Sequence, residues 1–232
     1  MTAAAVFVPG LLCDAQLWEP QLAGLSPGVD PWVPDVTRDD SMAGMAARVL
    51  AEAPPGKFAL AGLSMGGYVA MEMMRQAPER VTRLALLDTQ ARADTPEATE
   101  RRLALIELAQ RGKFMGVTER LLPLLLHRSK LRDARLVGIV TSMAQNVGKD
   151  AFLRQQKAIM GRIDSRESLR AIRCPTLVLC GAEDLLTPAD RHREMAALVP
   201  GSRLEIIAGC GHLSTLEKPQ EVNRALRDWL DQ

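Results

Sequence analysis

Short apolar runs alternate along the chain with longer stretches whose apolar residues recur at helical spacing. That alternation predicts a parallel sheet flanked by helices. Ala3 to Val8 reads as a buried strand stopped by Pro9-Gly10. Gln16 to Leu25 reads as a brief helix and Pro31 to Pro34 as a weak strand, and Ser41, a good N-cap, opens a helix reaching Ala53. After the Pro54-Pro55-Gly56 turn, Lys57 to Gly62 is the next strand and Met65 to Gln76 its helix, closed by Pro78. Val81 to Leu87 is the cleanest strand and ends at Asp88.

From about Ala91 to Ala171 the rhythm changes. No strand-like run occurs there, and helical periods follow one another instead. One runs through Leu103, Ile106, Leu108 and Ala109, and one through Val117, Leu121 and Leu122. Two more pass through Leu136, Ile139, Val140 and Met143, then Phe152, Gln156, Ile159 and Met160. Beyond Pro175 the alternation resumes, with strands at Thr176 to Cys180 and Leu204 to Ala208 and helices at Ala189 to Leu198 and Pro219 to Leu230. The expected architecture is an α/β core, residues 1–90 and 172–232, with a helical insertion over residues 91–171.

Composition narrows the possible functions. The 232 residues are 47% hydrophobic and 25% charged, enough for one globular unit with a full core. Lys and Arg number 29 against 28 Asp and Glu, a net charge of +1, which leaves no basic face for nucleic acid. The longest apolar run, Leu121 to Leu126, is broken by Pro123, so no membrane span is expected. Met1 to Val8 lacks a basic leader region, and Cys13, Cys174, Cys180 and Cys210 are too dispersed for a disulfide framework or a zinc site. A reducing, cytoplasmic setting is the expectation, with no metal.

Chemistry is concentrated in Gly62-Leu63-Ser64-Met65-Gly66-Gly67, between a predicted strand and a predicted helix. A serine on so tight a turn is held in a strained conformation that lifts its hydroxyl clear of the sheet, and the flanking glycines allow strand and helix to crowd there. The helix opening at Met65 aims free N–H groups at the same point. A serine needs a base and an orienting acid. Of three histidines, His212 follows the strand Leu204 to Ala208 in Gly209-Cys210-Gly211-His212, which puts it on the same sheet edge as Ser64. His192 reads as a solvated helix-face residue and His127 as structural. Asp184, in Gly181-Ala182-Glu183-Asp184, is the favoured acid, with Glu183 beside it, Asp88 the main competitor and Asp35 a distant one.

Ser64, Asp184 and His212, in that order and in those settings, resemble the α/β-hydrolase family over essentially the whole chain. Thr187-Pro188 after the acid and Glu217-Lys218-Pro219 after the base fit the same pattern. The resemblance implies a mostly parallel sheet of about six strands, with residues 91–171 forming a helical cap. It also implies an oxyanion hole from the backbone N–H groups of Leu11 and Met65. Val8-Pro9-Gly10-Leu11 departs from the family's frequent His-Gly-x by placing Pro9 where a histidine is common, and the first strand here corresponds to the family's third, so a sheet without the customary leading strands is the expectation.

The activity so implied is cofactor-free hydrolysis of a small to medium carboxylic ester, thioester or lactone through an acyl-enzyme on Ser64. The same triad serves carbon–carbon bond hydrolysis or perhydrolysis, and a non-catalytic ligand-binding protein on this scaffold is the rival from another class. Leu122 and Leu125, among the insertion's apolar residues Met115, Leu121 and Leu124, are candidate pocket residues, as is Trp18. Trp32 and Trp229 read as structural, Cys13 and Cys210 as oxidisable thiols beside the site, and the insertion as a surface for a homodimer.

Overall fold

Why the strands lie side by side follows from their composition. In the computed structural model, which describes residues 3–232, six strands form one all-parallel sheet in the order β2-β1-β3-β4-β5-β6. They are β1 (Ala3–Val8), β2 (Val29–Trp32), β3 (Phe58–Leu63), β4 (Val81–Leu87), β5 (Thr176–Gly181) and β6 (Arg203–Ile207). Met1 and Thr2, at the head of the segment read for a leader, lie outside the described residues. β3 and β5 are buried along their whole length, as expected of inner strands covered on both faces. β2, one of the two edge strands, carries Pro31, which edge positions tolerate.

Successive side chains alternate between two cores. Val6, Val8, Leu60, Leu84, Leu86 and Val178 face one side, where helices α2 (Met42–Glu52), α3 (Met65–Gln76) and α8 (Ala189–Leu198) pack. Phe7, Ala61, Leu63, Leu87, Leu177 and Leu179 face the other, against α1 (Glu19–Leu25) and α10 (Pro219–Leu230). Between β4 and β5 the described chain is helical, with α4 (Pro96–Leu108), α5 (Leu122–Leu125), α6 (Ala134–Met160) and α7 (Arg166–Leu169). The one-turn α9 (Ser214–Glu217) lies between β6 and α10. Among the described residues no helix is long and apolar enough to cross a membrane.

Several expectations shift. The weak strand read at Pro31 to Pro34 is Val29–Trp32, because pairing with β1 begins at Val29 opposite Ala3. Gln16 to Leu25 is interrupted at Trp18, where a short 3₁₀ turn over Ala15–Leu17 hands over to α1. The period through Val117 and Leu121 is not a helix; only Leu122–Leu125 is. The two periods after Leu136 are halves of α6, broken at Gly148, whose φ of +73° is a left-handed conformation that glycine adopts without strain.

Candidate active site

Parallel strands collect their carboxyl ends on one edge, and four loops leave that edge toward a common point. The first carries Ser64 between β3 and α3. Ser64 has φ +54° and ψ −115°, a conformation costing a non-glycine residue of order 1–3 kcal/mol. Its surroundings hold it there: Ser64 N–H donates to Leu87 O at 3.0 Å, and its own carbonyl accepts from Gly67 N at 2.9 Å and Thr89 Oγ1 at 2.8 Å. The glycines are required by contact as well as by conformation. A Cβ on Gly62 would sit 2.2 Å from Gly66 O, and one on Gly66 would sit 2.1 Å from Val8 O.

The β6 loop delivers His212, buried, with Nε2 2.9 Å from Ser64 Oγ. Its Nδ1 is 2.8 Å from Asp184 Oδ2 on the β5 loop. Asp184 is itself fixed, since Oδ1 accepts from the N–H groups of Leu186 at 2.8 Å and Thr187 at 3.0 Å and Oδ2 accepts from Thr187 Oγ1 at 2.7 Å. The sequence-predicted Ser64, His212 and Asp184 are thus brought into one hydrogen-bonded row. Glu183 turns the other way and accepts from Cys210 N at 3.0 Å, while Glu217 accepts from Gly211 N and His127 N, so both brace the His212 loop.

Electrostatics follows from this geometry. Burial opposes charge on His212, but the adjacent Asp184 carboxylate outweighs it and holds the imidazole pKa above its ordinary value. Burial likewise opposes charge on Asp184, yet the His212 charge and the Thr187 hydrogen bonds keep its carboxyl below the usual range. Burial, followed by the Asp184 charge, pushes Asp88 up to about 8. Asp88 does not touch His212: Oδ1 accepts from Gly181 N at 3.0 Å, and Oδ2 meets Ser214 N at 3.3 Å and the Ser214 hydroxyl. It ties together the two loops that carry Asp184 and His212. Asp35 closes its own turn with Thr37 and Arg38.

Leu11 follows β1 on the same edge, beside Ser64: a Cβ on Gly10 would lie 3.4 Å from Ser64 Cβ. Met65 is the first residue of α3, where N–H groups have no intrahelical acceptor. The remaining candidates from the sequence lie in or against the core. Trp18 is fully buried, its ring tilted 51° to that of Phe7 at 5.1 Å between centroids, and Leu122 is buried in the same core. Leu125 packs against that core, and its carbonyl accepts from His212 N and Leu213 N, making it a brace for the base. Cys13 and Cys210 are buried, and burial raises both thiols, Cys13 to about 12, so neither is a reactive thiolate.

His192 is not a solvated helix residue but is fully buried, its Nε2 accepting from Thr89 N at 2.9 Å beneath the Ser64 turn. The apolar spacing of α8 gave the only available hint. Burial lowers its pKa to about 4. Because the unfolded chain takes up that proton near pH 6.5, stability should fall as the pH drops from 6.5 to below 4, by on the order of 3 kcal/mol. Urea unfolding of wild type and His192→Gln across that range checks it; the variant should show a shallower decline.

The sheet order and the serine–histidine–aspartate row on its carboxyl edge mark an α/β enzyme. A family model described as the alpha/beta hydrolase fold matches residues 6–219, and the chain belongs to that family. A pimeloyl-acyl-carrier-protein methyl ester esterase from Nitrosomonas europaea is 29% identical over 179 residues, covering 75% of this chain and 71% of its own. A thermophilic esterase structure from Thermogutta terrifontis, with malate bound, matches at TM-score 0.89 and 30% identity, over 100% of this chain and 90% of that one. An enol-lactonase from Burkholderia xenovorans matches at TM-score 0.88 and 22% identity, over 100% and 92%, a likeness of fold.

Proposed function

We propose that this protein hydrolyses a small to medium carboxylic ester, thioester or lactone through an acyl-enzyme on Ser64. The observation that carries the reading is the continuous row Ser64 Oγ–His212 Nε2, 2.9 Å, and His212 Nδ1–Asp184 Oδ2, 2.8 Å. Ser64 Oγ attacks the carbonyl carbon while His212 Nε2 takes its proton, and Asp184 holds the ring with Nδ1 protonated. The backbone N–H groups of Leu11 and Met65 receive the developing oxyanion. His212 then gives that proton to the leaving alkoxide or thiolate, which departs as the alcohol or thiol; it next takes a proton from the water that attacks the acyl-enzyme and passes it to Ser64 Oγ as the carboxylic acid is released. The residues form the site without calling on a cofactor. The esterase names carried by the Nitrosomonas and Thermogutta relatives support the ester reading over other chemistry on the same triad.

A panel of 4-nitrophenyl esters, thioesters and lactones of increasing acyl length tests this. Turnover of short to medium members is expected, and no turnover of any member would refute it. His212 must be neutral to accept the serine proton, and its pKa is raised by Asp184. The value of kcat/KM should therefore climb with pH through a midpoint above about 6.5, the ordinary histidine value. A midpoint below that value would contradict the His212–Asp184 pairing.

A further inference from the structure

Leu12, next to the proposed oxyanion donor, has φ +58°, a left-handed conformation that a branched side chain adopts only when held. What holds it comes from far along the chain. Leu12 N–H donates at 3.1 Å to Oε1 of Gln155, a fully buried side chain on α6 in the helical insertion. The Nε2 of the same amide donates to Val36 O at 3.3 Å, so a donor and an acceptor on either side fix which way the amide faces. The Leu12 side chain packs with Ala109, Ala144 and Phe152 of the insertion, and Leu11 packs against that cluster. Cys13 N–H closes the turn onto Gly10 O at 3.2 Å. Cys13 Sγ also donates to Leu11 O at 3.4 Å, and among the described residues Gln155 is the one that reaches the Leu12 peptide N–H.

We propose that Gln155 is a positioning residue for the oxyanion hole: by accepting from Leu12 N–H it locks the left-handed turn that aims the Leu11 N–H at the reacting carbonyl oxygen. The inference rests on the acyl-enzyme reading above. It makes the insertion part of the catalytic apparatus, since a shift of α6 would withdraw the acceptor and let the turn relax. Its effect falls on the transition state, in which the oxyanion exists, rather than on ground-state binding.

The test uses 4-nitrophenyl butyrate and an alkyl trifluoromethyl ketone. With the ketone, Ser64 Oγ bonds to the carbonyl carbon, the carbonyl π bond opens to an oxyanion, and the serine proton passes to His212. Gln155→Met keeps the side-chain length and removes both hydrogen bonds, whereas Gln155→Glu keeps an acceptor for Leu12 N–H. Loss of a whole oxyanion donor costs about 10²- to 10³-fold, so a loosened one in Gln155→Met should lower kcat by about 10- to 100-fold with little change in KM. Ketone affinity should fall by a similar factor, and Gln155→Glu should retain clearly more of both. Gln155→Asn, whose shorter amide cannot reach Leu12, reads the same contact should Gln155→Met fail to fold. Folded Gln155→Met or Gln155→Asn with unchanged kcat and ketone affinity would overturn the role of Gln155, as would equal losses in Gln155→Glu. A wild type that neither hydrolyses the ester nor binds the ketone would instead overturn the acyl-enzyme reading on which it rests.

Discussion

Ser64→Ala is expected to lower ester hydrolysis by about 10⁴- to 10⁶-fold, and His212→Ala by nearly as much, with the double variant scarcely worse than either. Serine and base act as one unit: without Oγ nothing attacks, and without Nε2 to take its proton Oγ stays a weak nucleophile. The 2.9 Å Oγ–Nε2 contact is the physical ground for that coupling. Neither change should unfold the protein. Ser64 makes its structural bonds through its backbone N–H and carbonyl, which alanine keeps. Steady-state kinetics with an accepted ester, together with thermal unfolding, checks both points, and simple additivity of the two losses would show that the residues work independently.

Asp184→Asn should cost about 10⁴-fold in kcat, whereas Asp88→Asn should cost less than about tenfold, although both carboxyls are buried within one charge cluster. The reasoning is geometric. Of the two carboxyls, Asp184 is the one that meets His212 Nδ1, and an amide there can present its NH₂ to the ring and favour the wrong tautomer. Asp88 meets two backbone N–H groups and a hydroxyl and does not reach the ring, so an amide there, which turns its NH₂ against one of those N–H groups, loosens the two loops but leaves His212 Nδ1 its carboxylate. Kinetics on both variants decides between them. The reverse ranking would make Asp88 the functional acid.

The site was legible in the sequence where chemistry demands rare residues at strand ends. A glycine-flanked serine between strand and helix, and a histidine and an aspartate each just past a strand, can meet only on the carboxyl edge of a parallel sheet. The strands were legible because β3 and β5 are buried on both faces and read as unbroken apolar runs. Contacts that depend on packing across long separations were not legible. Nothing local distinguishes Trp18 at a pocket wall from Trp18 in a core, and its place was settled by Phe7 on the neighbouring strand. His192 looked solvated because its partner, the Thr89 N–H, lies 103 residues earlier. Gln155 sits in a helical period with no outward sign of its partner at Leu12. Leu125 acts through a carbonyl, which side-chain pattern cannot report.

The most direct test of the central claim is to treat wild-type protein with a fluorophosphonate, digest it and locate the adduct by mass spectrometry. A single phosphonylated peptide bearing the group on Ser64, lost in His212→Ala, is the expected result. An adduct on another residue, or none on folded protein that turns over an ester, would contradict it.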